Sequence, residues 1–170
     1  MMPPMNFQKW IEENKHHLKP PVSNKMIHNG KDFIVMVVGG PNERTDFHVN
    51  PTEEWFYQLE GTIFLRTVNK EGKFEDIFLQ AGDVFLLPAG LPHSPQRSEG
   101  SIGLVIEKVR GAEYTDKLQW YCQNCQTKLY EESFHLTNIE KDFGAVFERY
   151  YNSDHVKCPS CGTVNGRKWS

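Results

Sequence analysis

Asp46-Phe47-His48-Val49-Asn50-Pro51-Thr52-Glu53-Glu54, closed by Gly61, and Gly82-Asp83-Val84-Phe85-Leu86-Leu87-Pro88-Ala89-Gly90-Leu91-Pro92-His93 are the two runs whose reading decides the fold. On an extended strand His48 and Asn50 share one face, because side chains alternate. Pro51 cannot continue a central ladder and should break that strand. A turn there allows Glu54 to return to the same place from the next strand. In the second run four apolar residues, Val84 to Leu87, lead into a Pro- and Gly-rich turn that delivers His93. His48, Glu54 and His93 are residue types that bind metals.

The spacing resembles that of the cupins. Gly82, five residues, then Pro88-x-Gly90-x-x-His93 matches the second cupin motif. The first normally reads His-x-His, three or four residues, Glu, six residues, Gly. Here Asn50 stands at the second histidine, while the steps from Asn50 to Glu54 and from Glu54 to Gly61 fit. The resemblance implies a double-stranded β-helix, or jelly-roll barrel, with His48, Glu54 and His93 as metal ligands. Two imidazoles and one carboxylate on one face of an ion leave positions open on the other, which suits non-haem Fe(II).

The chain around these runs is rich in strand signals. Asp32 to Val38 is a continuous apolar run ended by Gly39-Gly40-Pro41 and reads as a buried strand. Trp55 to Glu60, Ile63 to Val68, Phe74 to Leu79, Val84 to Leu87 and Ile102 to Val109 follow, with hairpin chemistry at Asn69-Lys70-Glu71-Gly72-Lys73. Short strands at this spacing predict an all-β sandwich or barrel. Before them, Asn6 to Leu18 carries a helical stripe of Phe7, Trp10, Ile11 and Leu18, with His16 and His17 near its end. Lys19-Pro20-Pro21-Val22 should end that helix and begin an extended segment. Beyond Arg110-Gly111 the pattern changes, and Asp142 to Tyr151 reads as a helix with Phe143, Val146, Phe147 and Tyr150 on one face. The expected organisation is therefore a barrel with its short N-terminal helix over residues 1–112 and a C-terminal extension over 113–170 packed on it. No internal repeat is evident.

At 170 residues the chain can bury a full core. A net charge of -3 argues against a general nucleic-acid binder, which would carry a basic stripe. No apolar run is long enough to span a membrane, and the start lacks signal-peptide regions, so a cytoplasmic location is expected.

Cys122-x-x-Cys125 and Cys158-x-x-Cys161 hold all four cysteines. Two such pairs read as a four-thiolate metal site, since a reducing compartment disfavours disulfides. Cys158-Pro159-Ser160-Cys161-Gly162 resembles a rubredoxin or zinc-ribbon knuckle, and iron and zinc both accept this donor set. Four thiolates leave no open position, so the role expected is structural. His155, close to Cys158, is the one histidine that could neighbour it.

Gly39-Gly40-Pro41-Asn42-x-Arg44-x-Asp46-Phe47-His48 and Glu54-x-Phe56-Tyr57-Gln58-Leu59-x-Gly61 resemble the 3-hydroxyanthranilate 3,4-dioxygenase family. So do Gly82-Asp83-x-Phe85-Leu86-Leu87-Pro88, Pro92-His93-Ser94-Pro95-Gln96-Arg97 and Gly103-Leu104-Val105-Ile106-Glu107. The paired Cys-x-x-Cys tail is similar to the bacterial and fungal form, with its second, structural iron. The resemblance implies ring opening of 3-hydroxyanthranilate by O2 to 2-amino-3-carboxymuconate semialdehyde. That product is the precursor of quinolinate in the kynurenine route of tryptophan degradation and NAD biosynthesis. It further implies Fe(II) on His48, Glu54 and His93, and Arg97 paired with the substrate carboxylate. Glu107 is implied in contact with substrate, Glu54 as a ligand that also accepts a substrate proton, and Arg44 beside the oxygen position. A homodimer is implied too. The alternatives are another Fe(II) cupin dioxygenase, or a non-catalytic cupin sensor that binds ligand without turnover.

Overall fold

A computed structural model describes residues 3–19 and 23–169. Helix α1 (Phe7–Asn14) leads into eleven strands: β1 (Asn24–Asn29), β2 (Phe33–Gly39), β3 (Phe47–Val49), β4 (Glu54–Glu60), β5 (Ile63–Val68), β6 (Phe74–Leu79), β7 (Val84–Leu87), β8 (His93–Arg97), β9 (Ile102–Lys108), β10 (Asp116–Tyr121) and β11 (Lys128–Phe134). Helix α2 (Ile139–Tyr151) follows. The strands form two antiparallel sheets, ordered β1-β2-β9-β4-β7 and β11-β10-β3-β8-β5-β6. Apolar side chains from both sheets meet between them, with Met36, Phe56, Ile63, Leu65, Leu79, Leu87 and Val105 as the shared core. This is the expected all-β cupin architecture.

The elements follow from local chemistry. Asn6 caps α1 by accepting a hydrogen bond from the Lys9 amide at 2.9 Å. The helix stops at Asn14, short of the expected Leu18, where the Asn14 side chain donates to the Trp10 carbonyl at 2.9 Å. A tighter 3-10 turn, Lys15–His17, takes its place and still buries Leu18 against Ile11 and Val37. The extended segment expected at Pro20, Pro21 and Val22 lies outside the described residues. Helix α2 begins a turn earlier than Asp142, because Asn138 caps it through the Lys141 amide at 2.9 Å. Its buried face holds Phe143, Val146 and Tyr150, and the Tyr150 ring stacks on Trp120 at 4.4 Å.

Pro51 does end β3, and the turn to β4 is held by Asn50, whose Oδ1 accepts from the Thr52 amide and hydroxyl at 2.9 Å each. The expected hairpin at 69–73 is present, with Asn69 Oδ1 accepting the Glu71 and Lys73 amides. The chain beyond 112 gives two strands to the six-stranded sheet: β10 pairs with β3, placing Leu118 opposite His48.

Two glycines have opposite steric settings. A Cβ on Gly40 would overlap the Ser98 carbonyl oxygen and stand 2.5 Å from Ser101 Oγ, whereas a Cβ on Gly144 in α2 meets nothing within 4 Å. Gly40→Ala should therefore lower stability by about 1–3 kcal/mol through overpacking. Gly144→Ala should raise it by about 0.5–1 kcal/mol through lower chain entropy. Urea unfolding of the two variants beside the parent checks both signs.

Candidate metal centre and active site

Register brings the three expected ligands together. Strands β3 and β8 share a single pair, His48 opposite His93, so the two imidazoles lie side by side with ring centroids 5.4 Å apart. Glu54 opens β4 beside them. His48 Nδ1 is 3.7 Å and His93 Nε2 3.3 Å from Glu54 Oε1, and all three residues are buried. One donor atom from each lies within 4.8 Å of the others.

The other nitrogen of each ring faces an acceptor. His93 Nδ1 is 3.0 Å from the Leu91 carbonyl oxygen, and His48 Nε2 is 2.7 Å from Asp116 Oδ2. Both acceptors require a proton on the nitrogen they meet, so the remaining lone pairs turn toward Glu54. Three lone-pair donors converging on one buried point fit a cation. Without one, Glu54 and His93 pair with each other. Burial disfavours the Glu54 carboxylate, but the His93 and His48 imidazoles and the hydrogen bonds from His93 and Asn50 hold its pKa down to about 2. Burial likewise opposes the His93 imidazolium, yet Glu54 and the Leu91 carbonyl raise its pKa. For His48 burial prevails over Asp116 and Glu54, and its pKa is lowered.

Asn50, at the position of a second motif histidine, donates to Glu54 Oε1 at 2.9 Å and lies 3.5 Å from Glu107 Oε2. It therefore orients a donor carboxylate from within the ring of polar groups. Glu107 stands opposite Glu54 across the β4–β9 pairing. Burial, and then the charge of Glu54, push the Glu107 pKa up to about 7 against the ion pair with Arg110. Two facing carboxylates thus divide into a strong and a weak acid.

A cavity of about 890 Å³ opens onto this centre, and Arg44, His48, Glu54, Phe56, His93, Arg97, Val105 and Glu107 are among its lining residues. Arg97 is buried, and its Nη1 has no hydrogen-bond partner among the described residues. Burial and the neighbouring Arg44 lower its pKa to about 10, which leaves it a cation at neutral pH. Arg44 is engaged in an ion pair with Asp46, whose Oδ1 accepts from Nε at 3.0 Å, and lies 5.8 Å from the Phe143 ring. All expected barrel site residues therefore meet around one cavity, with Arg97 the unpaired cation.

The cysteines form the second cluster, with Cys122 Sγ 3.5 Å from Cys161 Sγ and Cys125 Sγ 3.5 Å from Cys158 Sγ. The structure also reveals a short repeat that the sequence reading passed over: Cys-x-x-Cys-x-Thr occurs at 122–127 and at 158–163. In each copy the first cysteine amide donates to the threonine carbonyl at 2.8 Å, and the threonine hydroxyl lies 3.2 Å from the second sulfur. Gln126 and Gly162 occupy the same left-handed position, at φ 63° and 77°. The contacts of Thr163 lead in holding the Cys161 pKa down at about 6, those of Thr127 lower Cys125, and burial raises Cys158. His155 lies against Tyr130, at 5.2 Å between ring centroids.

Two buried groups at the barrel centre escaped the sequence reading: Asp116 and Arg110. Neither sits in a motif, and nothing in their spacing to His48 signals a contact 68 residues away in the chain.

Comparison with known proteins agrees with this geometry. A profile of the family described as 3-hydroxyanthranilic acid dioxygenase matches residues 1–151. A 3-hydroxyanthranilate 3,4-dioxygenase of Xanthomonas euvesicatoria pv. vesicatoria is 55% identical over 97% of this chain and 93% of its own length. One from Candida albicans is 48% identical, over 97% and 96% respectively. Among solved structures, a cupin-2 domain protein from Shewanella frigidimarina superposes with a TM-score of 0.50 at 24% identity, covering 62% of this chain and 94% of that one.

The raised pKa of Glu107 has a stability consequence in the metal-free protein. A carboxyl with a folded pKa of about 7 and an unfolded one near 4.3 binds more protons when folded, so stability falls as pH rises through that interval. Glu107→Gln should remove this component, and its denaturation midpoint should decline less than the parent's between those two pH values.

Proposed function

Because the chain belongs to the 3-hydroxyanthranilic acid dioxygenase family, we propose that it cleaves the ring of 3-hydroxyanthranilate with O2 to give 2-amino-3-carboxymuconate semialdehyde. The observation that carries this reading is Arg97. Its buried Nη1 has no partner among the described residues, and it lines the same cavity as His48, Glu54 and His93. A substrate that presents a carboxylate to one end of the cavity and adjacent oxygen and nitrogen donors to the other satisfies both.

In this reading His48, Glu54 and His93 would hold Fe(II), and Cys122, Cys125, Cys158 and Cys161 would hold a structural iron or zinc. An iron held there would supply the one-electron chemistry by which dioxygen reacts with a closed-shell ring. The protein does the rest. Arg97 takes the substrate carboxylate bidentately, a geometry that suits a planar guanidinium. Glu107, poised near neutrality, accepts the proton of the substrate hydroxyl on the oxygen that Arg110 does not occupy and returns it to the product. Arg44, steadied by Asp46, places a fixed positive charge where negative charge develops. Phe56, Val105 and Met36 wall the ring and exclude water. Both oxygen atoms enter the product, which then closes to quinolinate.

The protein acts in the cytoplasm as a homodimer. Among the described residues no helix is long and apolar enough to cross a membrane. The large apolar residues left exposed, among them Val84 and Leu86 on β7, are compatible with an interface.

The test is anaerobic Fe(II) loading, addition of 3-hydroxyanthranilate, then air, with oxygen uptake and the near-ultraviolet band of the semialdehyde followed together. The parent should consume oxygen and form the band, and His93→Ala should do neither. Fully loaded parent that consumes no oxygen overturns the reading. Arg97→Met should lower kcat/KM about 10- to 100-fold, the loss of a charged hydrogen-bonded pair worth roughly 1.5–3 kcal/mol. Cys158→Ala should keep the activity but melt at lower temperature than the parent.

A further inference from the structure

Asp116 and Arg110 are buried, charged and unused by the chemistry above. Asp116 opens β10, whose pairing with β3 sets Leu118 opposite His48 and leaves Asp116 as the diagonal neighbour two residues away. Its side chain is fully buried, with Oδ2 2.7 Å from His48 Nε2. Arg110 lies two residues beyond β9. Its Nη2 donates to Asp116 Oδ2 at 3.2 Å, its Nε to Oδ1 at 3.4 Å, and its Nη1 to Glu107 Oε2 and to the Lys108 carbonyl. Asn50 then spans from Glu107 back to Glu54. The contacts form a closed circuit: His48, Asp116, Arg110, Glu107, Asn50, Glu54.

We propose that Asp116 and Arg110 are positioning residues that bind the metal donors and the substrate-facing carboxylate into one unit. Asp116 fixes the ring and tautomer of His48, and Arg110 fixes Glu107 against the cavity. This rests on the dioxygenase reading of the site.

The physical case has three parts. A carboxylate only accepts hydrogen bonds, so its partner nitrogen Nε2 carries the proton and Nδ1 presents its lone pair to the centre. Without Asp116 the neutral ring would divide between two tautomers, one of which has no lone pair facing Glu54. The carboxylate also makes His48 a better donor, the general effect of such partners on metal-bound histidine. For Arg110, the guanidinium fork serves two carboxylates on two segments at once. A lysine ammonium has the charge without the span. Losing Arg110 would leave Glu107 and Asp116 without their shared cation while preserving the contact between Asp116 and His48. The two residues thus act on different quantities, Asp116 on metal affinity and Arg110 on substrate binding.

Co(II) titration of the metal-free protein separates these. Its ligand-field absorption reports the His/Glu/His centre, and its thiolate charge-transfer absorption reports the cysteine cluster as an internal control. Asp116→Ala should weaken Co(II) at the histidine centre about 10- to 100-fold, and Asp116→Asn, which keeps a neutral acceptor for Nε2–H, should weaken it less. The cysteine cluster should titrate as in the parent. Arg110→Lys should leave Co(II) affinity nearly unchanged and raise the KM for 3-hydroxyanthranilate on the Fe(II) enzyme more than it lowers kcat.

Should Asp116→Ala fail to fold, Asp116→Asn carries the test. Parent-like Co(II) binding at the histidine centre in the folded Asp116 variants overturns the proposal. So does an Arg110→Lys enzyme with parent KM. A parent that binds Co(II) at both centres yet turns over no substrate overturns the dioxygenase reading, while the Asp116 result stands.

Discussion

The organising constraint is charge balance in a dry interior. Glu54, Glu107 and Asp116 are buried within one circuit of contacts, and a buried charge without a partner is too costly to keep. Arg110 answers one of the three negative charges directly through its two ion pairs. Glu54 stands beside His48 and His93, where a cation would find its balancing charge. Arg44 is held separately in an ion pair with Asp46. Among the described residues that line the cavity, Arg97 is the cation without an ion pair.

That balance requires strands from distant parts of the chain. His48 and His93 meet through one register pair of a three-residue strand. So short a strand would position a ligand poorly alone, and β10 supports it from the other side. The same segment runs on from β10 into the first cysteine knuckle, with Trp120, Cys122, Cys158 and Tyr150 packed in one cluster. From that cluster α2 carries Phe143 to 5.1 Å from the His48 ring, edge to face. Residues beyond 112 therefore do more than cover the barrel. They supply one wall of the cavity and the hydrogen-bond acceptor behind a donor histidine. Helix α2 thus packs near its start against His48 and near its end against the cysteine cluster.

The strand pattern and the His48/Glu54/His93 cluster were legible because each is written in short-range spacing. Pro51 breaking β3, the glycines at the turns, and the interval from Gly82 to His93 are all local signals. What stayed hidden was non-local or weakly patterned. Strand β1, Asn-Lys-Met-Ile-His-Asn, has no clean alternation and is held at the sheet edge by pairing with β2. Strand β11 is rich in Lys and Glu, as befits an edge strand exposed on one face. The Pro-containing β8 reads as a loop by composition, yet β5 pairs with all five of its residues. Asp116 and Arg110 gain their meaning only from pairing between β10 and β3. The Cys-x-x-Cys-x-Thr repeat was local, but its threonines became visible only when both were seen beside sulfur.

Asn50 shows how a lost ligand can add function. A histidine there would have brought a fourth donor to the ion and closed a position. The amide instead turns its NH2 to Glu54 Oε1 and its oxygen to the Thr52 amide and hydroxyl. One group therefore fixes the turn that returns Glu54 to the site and holds the carboxylate it returns. Because an amide NH2 has no lone pair to offer a metal, this orientation keeps Asn50 out of the coordination shell. The His/Glu/His cluster therefore keeps three donors rather than four, with its carboxylate held in place by a hydrogen bond.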